Sequence, residues 1–393
     1  MVALQRVVVV GAGLAGHRAV DELRRSGFGG ELIVIGDERH KPYDRPPLSK
    51  ELLYGGTRPQ HCEYKSLDAD WRLGQAAVGL DAAASTVTLA DGRALTYDGL
   101  LIATGRRARP WPTSLPALEG FHTLRTVDDA LRLRAAVQTT SHVAIIGAGF
   151  IGCEVAAALR RCEISTVAFI ESASHPMPLL GAEVGARAAR IHDDHGVDLQ
   201  LGTSVASFEG RGHVQAVVLT NGKRIEADLV LIAIGSTPNS DWLVDSGLEL
   251  VDGNVLCNSH CMAVGVDNVA VAGDIATWAH SGVNQLVRVE HWTNARDMGA
   301  AAAANLLTTP ERRLDYAPVP SFWSDQYDVK IKSVGFVSSA DSIKIIDEDL
   351  SRSALVAEAY RDGELVGAIT LNRNRTILDY QRTLAQSYRR MLK

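Results

Sequence analysis

The sequence predicts an α/β fold: two nested Rossmann-like dinucleotide-binding units, then a smaller α+β C-terminal domain. Three observations predict it. First, the glycine fingerprint Gly11-Ala12-Gly13-Leu14-Ala15-Gly16 follows a β-branched run, Arg6–Val10, and opens a stretch with helical spacing, Leu14–Arg25. Second, the same order returns as His142–Ile146, Gly147-Ala148-Gly149-Phe150-Ile151-Gly152 and Phe150–Arg161. Third, each unit closes on an apolar strand ending in glycine: Gly105 lies 94 residues beyond Gly11, and Gly235 lies 88 beyond Gly147. Two matches in one order at nearly one spacing imply a duplicated unit.

Each element has a physical reason. Arg6–Val10 and His142–Ile146 are continuous apolar runs, as parallel strands buried on both faces require. Second strands follow at Glu31–Ile35 and Thr166–Ile170. Asn268–Gly273 repeats the buried-strand pattern beyond Gly235, so the second unit is expected to be inserted into the first. Arg106–Thr126, with its Pro110–Pro116 stretch, and Ser236–Asp252 then become the crossings. A long helix is expected at Thr293–Leu307, with a boundary at Pro310. Strands near Lys330–Phe336, Ile343–Ile346, Ala354–Tyr360 and Glu364–Leu371, and a helix from about Arg375, make the last domain. The expected division is 1–107 with 236–310, then 108–235, then 311–393.

Bulk properties narrow the function. A chain of 393 residues with 46% hydrophobic and 22% charged residues is ordinary globular material, too long for one core. A net charge of −6 offers nothing to attract nucleic acid or an anionic membrane, and no apolar run is long enough to span a bilayer. The five cysteines, Cys62, Cys153, Cys162, Cys257 and Cys261, are an odd count without a C-x-x-C pair. That argues against a disulfide framework and a zinc site, and suits the cytoplasm.

The chemistry sits at the strand ends. In each fingerprint the first glycine permits the tight turn, the second admits the pyrophosphate, and the third lets helix and strand close up. The helix N-terminus then offers free N–H groups and a positive dipole end to phosphate. Asp37 and Glu171 end the second strands, where a carboxylate accepts from ribose hydroxyls. Glu171 would repel a 2′-phosphate, and Ser172-Ala173-Ser174-His175 supplies no arginine to welcome one, so NADH is expected over NADPH. For Glu154, just inside the second helix, spacing leaves two readings open: a first-turn acid facing the macrodipole, or a carboxylate facing a flavin–nicotinamide stack. The stretch His40–Lys50, stiffened by three prolines, is either a surface turn or a loop that turns Lys50 toward the ligand, where a cation tunes a reduced flavin. Asp274, after Gly273 at a strand end, can accept from a ribityl hydroxyl or cap a helix, and the two roles are compatible.

These residues, with Val289-Glu290-His291-Trp292 and Phe322-Trp323-Ser324-Asp325-Gln326-Tyr327, resemble the NADH-dependent ferredoxin reductases of bacterial oxygenase systems, of the putidaredoxin-reductase and biphenyl-dioxygenase-reductase type. The resemblance covers essentially the whole chain. It implies a glutathione-reductase-like arrangement within the FAD-dependent pyridine nucleotide-disulfide oxidoreductases, and electron transfer from NADH through FAD to a small acidic iron–sulfur ferredoxin. It implies FAD contacts at Gly11, Gly13, Ala15, Gly16, Asp37, Arg45, Lys50, Arg125, Gly273, Asp274, Val289 and Trp292, with Val78 beside the adenine through its backbone. NADH contacts are implied at Gly147, Gly149, Ile151, Gly152, Glu154, Glu171 and Gly235, and catalytic roles for Lys50, Glu154 and Trp323. His291 departs from the small or polar residue frequent in relatives. A monomer or weak homodimer is expected.

Three rivals stand beside this reading: a disulfide reductase or NADH peroxidase, a rubredoxin reductase, and a flavoprotein resembling apoptosis-inducing factor whose binding is switched by NADH. The first needs cysteine near the flavin, and this chain has none between Met1 and His61. For docking an acidic partner, Arg106, Arg107 and Arg109 form the densest basic cluster, with Lys330 and Lys332 another.

Overall fold

The architecture, a computed structural model describing residues 4–162 and 164–391, is built on two parallel sheets of the same wiring. In the first, the strand order is Val269–Val271, Gly99–Ile102, Arg6–Val10, Glu31–Gly36, Asp70–Leu73. In the second it is Phe121–His122, Leu229–Ile232, His142–Ile146, Thr166–Glu171, Val197–Leu201. Registers match too: Arg6 stands opposite Glu31 as His142 stands opposite Thr166, and Val7 opposite Gly99 as Val143 opposite Leu229. The strands contributed by the apolar runs are buried at every position after the first, Arg6 or His142, which is why they lack alternation.

The helices are α1 (Leu14–Arg25), α2 (Val127–Val137), α3 (Phe150–Leu159), α4 (Gly181–Asp194), α5 (Trp292–Leu306) and α6 (Thr376–Met391). Helices α1 and α3 leave their fingerprints in the same way, and α1 packs on α5. The first sheet takes its edge strand, Val269–Val271, from beyond the second sheet, so the second unit is nested in the first as the sequence suggests. At the crossing the chain pairs with itself, Arg106–Ala108 running antiparallel to Ser236–Pro238. Phe121–His122, within the segment expected to be a linker, instead forms the edge of the second sheet.

The C-terminal portion is an antiparallel sheet in the order Ser321–Gln326, Val329–Gly335, Glu364–Leu371, Ala354–Arg361, Ser342–Asp349. Helix α6 covers it, with Ile377 and Leu384 packed on Val334 and Ala368. Its first strand lies against α3 and α5, which brings Phe322–Gln326 to the junction of all three sheets. Among the described residues no helix is long and apolar enough to cross a membrane.

Candidate functional site

The two fingerprints build two matching cradles. Gly11 (φ +119°) and Gly147 (φ +96°) sit where a β-carbon would lie 2.1 and 2.4 Å from the carbonyl oxygens of Ala103 and Ala233. A β-carbon on Gly16 or Gly152 would strike the Gly11 or Gly147 carbonyl oxygen at 1.9 or 2.1 Å. The middle glycines differ in kind. Gly13 (φ −84°) and Gly149 (φ −73°) have backbones open to any residue, and nothing lies within 4 Å of a β-carbon there. Neither α1 nor α3 has a side-chain cap or an acid in its first turn, so both helix ends keep N–H groups free for an anion.

From the first cradle runs a cavity of about 800 Å³, near the top of the range for sites that hold large organic ligands, roughly 300–1,000 Å³. Its wall includes Gly11–Ala15 with Asp37 and Gly273-Asp274, the Arg45, Lys50 and Arg125 side, and the rings of Trp292 and Trp323. An elongated nucleotide cofactor with phosphates at one end and a ring at the other fits that path. Of α3 in the second unit, Phe150, Ile151 and Glu154 reach this cavity, beside Thr123, Arg125, Thr126 and Asp129 from the crossing segment and the start of α2; Gly147, Gly149, Gly152, Glu171 and Gly235 stand outside it, around the second cradle. The Glu171 carboxylate accepts from the Ala148 N–H (2.8 Å) and the Ala173 N–H (2.9 Å), which fixes it at the strand end.

The 42–50 loop is a clamp rather than a loose turn. Burial pushes the Tyr43 hydroxyl pKa up, so it stays protonated, donating to Glu38 (2.6 Å) and accepting from the Val127 N–H. Arg45 spans Glu38 and the Arg125 carbonyl. Asp44 accepts from both Tyr64 (2.8 Å) and the Trp292 indole (2.6 Å) through one oxygen. A single turn, Pro46–Ser49, then delivers Lys50 onto Glu154 with Nζ 2.7 Å from Oε2. The pair is nearly sealed, with side chains 13% and 6% exposed. Glu154 accepts as well from Ser49 and, through Oε1, from Ser324 at 2.7 Å. Glu154 thus lines the cavity. Arg125 in turn donates to Asp274 (2.8 Å) and to the Arg106 carbonyl.

Aromatic rings close the far end. Trp292 and Trp323 meet edge to face at 5.7 Å, Phe150 and Phe322 at 4.6 Å, and His291 lies 5.0 Å from Phe322. Burial brings His291 down to about 4, only partly offset by Glu290, so the ring is neutral. Its Nδ1 is buried with no partner, a free acceptor or donor beside the cavity.

The chain's relatives agree with this geometry. The pyridine nucleotide-disulphide oxidoreductase family matches residues 5–299, spanning both nested sheets. The chain belongs to that family. A second family, the reductase C-terminal domain, matches residues 321–391. Rhodocoxin reductase of Rhodococcus erythropolis is 32% identical over 96% of this chain and 89% of its own length. The ferredoxin–NAD(+) reductase component of the biphenyl dioxygenase system of Paraburkholderia xenovorans (strain LB400) is 32% identical over 95% and 91%. Among solved structures, the covalent putidaredoxin reductase–putidaredoxin complex matches with a TM-score of 0.91 at 30% identity, covering 98% of this chain and 93% of that one.

Within this oxidoreductase family the cysteines bear on chemistry. None of the four described cysteine side chains, Cys153, Cys162, Cys257 and Cys261, lines the cavity. Burial pushes the Cys153 thiol well up, and its Sγ donates to the Ala148 carbonyl. No described group of His, Cys, Asp and Glu is placed to hold a metal ion.

Some expected residues sit away from the cavity wall or from solvent. Gln75–Ala77 line the cavity next to Val78; the register slips between Ala77 and Gly79, and the Val78 side chain points to solvent, 53% exposed, so any contact of Val78 with the ligand is through its backbone. Arg106 is no docking cation. It is buried, bonded to Ser236 (2.7 Å), Asn254 (2.6 Å) and Glu290 (3.3 Å). Gly16 and Val289 are also off the cavity wall, Gly16 under the turn and Val289 buried behind it. Sequence reasoning missed Glu38 and Tyr64, and named Tyr43, Asp44, Ser49, Phe150 and Phe322 only as members of motifs, without roles of their own.

Proposed function

We propose that this chain is an NADH-dependent ferredoxin reductase that holds FAD in the first cradle and its cavity, NADH in the second, and serves an iron–sulfur ferredoxin of an oxygenase system. One observation carries the reading: Glu154, on the helix of the second cradle, projects into the cavity of the first and meets Lys50 there. The two nucleotide units therefore share one wall. When bound, the flavin would accept the electron pair of one hydride and release electrons singly, which is what couples a pyridine nucleotide to a one-electron acceptor.

The chain's own residues supply position and field. Gly11, Gly13 and Ala15 bring the N-terminus of α1 against the FAD pyrophosphate, and Asp37 accepts from its adenosine ribose. Asp274, held by Arg125, serves the ribityl chain. Lys50 and Glu154 present opposite charges at the shared wall, the cation for reduced flavin and the carboxylate for oxidised nicotinamide. Glu171 accepts from the NADH ribose and excludes a 2′-phosphate. We assign 1–107 and 236–310 to FAD, 108–235 to NADH and 311–393 to the C-terminal domain. A small acidic ferredoxin docks at the tryptophan end, where Lys332 stands opposite Trp323 and Arg296 lies 5.3 Å over Trp292.

The test is an absorbance spectrum of purified protein followed by anaerobic titration. A yellow protein bleached by NADH and not comparably by NADPH is expected; a colourless protein that takes up no FAD would overturn the reading.

A further inference from the structure

Glu154 is the inner end of a hydrogen-bonded string that leaves the cavity between α4 and the C-terminal sheet, and its direction is forced link by link. Ser324 Oγ donates to Glu154 Oε1, spending its only proton. It can then only accept from Gln326, whose Nε2 lies 3.1 Å away and also faces the Met177 sulfur at 3.4 Å. That orients the amide so that its oxygen faces His192 Nε2 at 3.1 Å, and this nitrogen must carry the ring proton. His192 is neutral, brought down to about 4 by burial, so its Nδ1 accepts from the Tyr327 hydroxyl at 2.9 Å. Ser324, Gln326 and His192 are all buried, and a buried polar group without its partner costs about 1–3 kcal/mol. Such a string is complete or it is a liability.

We propose that Ser324, Gln326 and His192 are positioning residues that hold Glu154 as a fixed, ionised acceptor at the NADH side of the shared wall. The inference rests on the reductase reading. Every link donates inward, so the string delivers aligned dipoles to the carboxylate, and the C-terminal sheet thereby sets its aim. The ionised state of Glu154 and the Nε2–H tautomer of His192 imply each other. Substituting Glu154→Gln reverses the order: Lys50 can only donate, so the new amide oxygen must face Lys50 and its nitrogen must face Ser324. Ser324 then donates to Gln326, the Gln326 amide turns over, and His192 takes its proton on Nδ1.

The test is nitrogen NMR of ¹⁵N-histidine-labelled holoenzyme, with the His192 signals identified by their loss in His192→Gln. The expected result is an Nε2-protonated ring in the parent and an Nδ1-protonated ring in Glu154→Gln. In Gln326→Leu, or in Ser324→Ala as a second variant, the tautomer no longer responds to residue 154. Kinetically, Gln326→Leu slows flavin reduction at saturating NADH by roughly tenfold, within the coupling range of networked residues. Reoxidation of photoreduced enzyme by ferricyanide is unchanged, and in the Glu154→Gln background the Gln326→Leu step costs nothing more. An unmoved tautomer in Glu154→Gln, or additive rate effects, would overturn the positioning role. Failure of the parent to be reduced by NADH would instead overturn the reductase reading, because the tautomer measurement needs no turnover.

Discussion

Gly149→Val isolates the second cradle from everything else the fold does. The backbone at Gly149 (φ −73°, ψ −172°) suits any residue, and no protein atom lies within 4 Å of an added β-carbon. The substitution therefore leaves folding and FAD content alone. What it fills is the space through which the α3 N-terminus approaches a pyrophosphate. Charge-assisted hydrogen bonds contribute about 1.5–3 kcal/mol each. Losing two costs about 3–6 kcal/mol, which is about 10²–10⁴ in dissociation constant at 1.4 kcal/mol per decade. The assay is the NADH concentration dependence of flavin bleaching in anaerobic stopped flow. The half-saturating NADH concentration should rise at least about a hundredfold, with flavin spectrum and melting temperature kept. Gly13→Val, its counterpart (φ −84°, likewise open), should give a folded but colourless protein. Gly152→Val is the contrast: its β-carbon would lie 2.1 Å from a backbone oxygen, so it should fail to fold. Unchanged NADH affinity in Gly149→Val would refute the reasoning.

Further outcomes follow from the same geometry. Lys50→Met strands the buried Glu154 carboxylate and should lower stability on the order of 3 kcal/mol; adding Glu154→Leu should recover most of it, and a thermal melt that shows no recovery contradicts the pairing. Arg106→Met leaves the buried Asn254 oxygen without its donor, while Glu290 keeps Arg288, and should cost about 1–3 kcal/mol while the ferredoxin KM stays put; a raised KM with an intact melt would return Arg106 to the docking face. His192 and His291 are both held near 4 by burial, below the ordinary 6.5, so the unfolded chain binds more protons between those values. Their contribution is complete above about pH 6.5 and drains as pH falls toward about 4, by up to roughly 3 kcal/mol each at 1.36 kcal/mol per unit. The melting temperature should fall on acidification through that window and fall less in His192→Gln; a flat profile would contradict it.

Much of this was legible because buried parallel strands and glycine cradles write themselves locally. Helix α1 begins and ends at Leu14 and Arg25 as read from spacing, and α5 is displaced by one residue at each end. What hid was non-local. Phe121–His122 is too short a strand to leave a period, and only its neighbour Leu229–Ile232 makes it one. The 321–326 strand defeats a hydrophobic pattern because its fully buried positions are Ser324 and Gln326, polar residues kept inside by the string to Glu154. Arg106 and Arg107 read as one basic patch, yet consecutive strand residues face opposite sides, and Arg106 turns in while Arg107 turns out. The bulge that turns the Val78 side chain to solvent is announced by no composition. The clamp residues Tyr43 and Asp44 lay inside a stretch already noticed and Glu38 just before it, but their partners Val127, Tyr64 and Trp292 are distant in sequence.

The central claim is that electrons enter in pairs from NADH and leave singly to an iron–sulfur protein. The direct measurement mixes holoenzyme anaerobically with limiting NADH and excess oxidised ferredoxin, following both spectra. Two ferredoxins reduced for each NADH consumed is the predicted result. Flavin bleached by NADH while the ferredoxin stays oxidised, with the electrons recovered only by a disulfide or a peroxide, would contradict it.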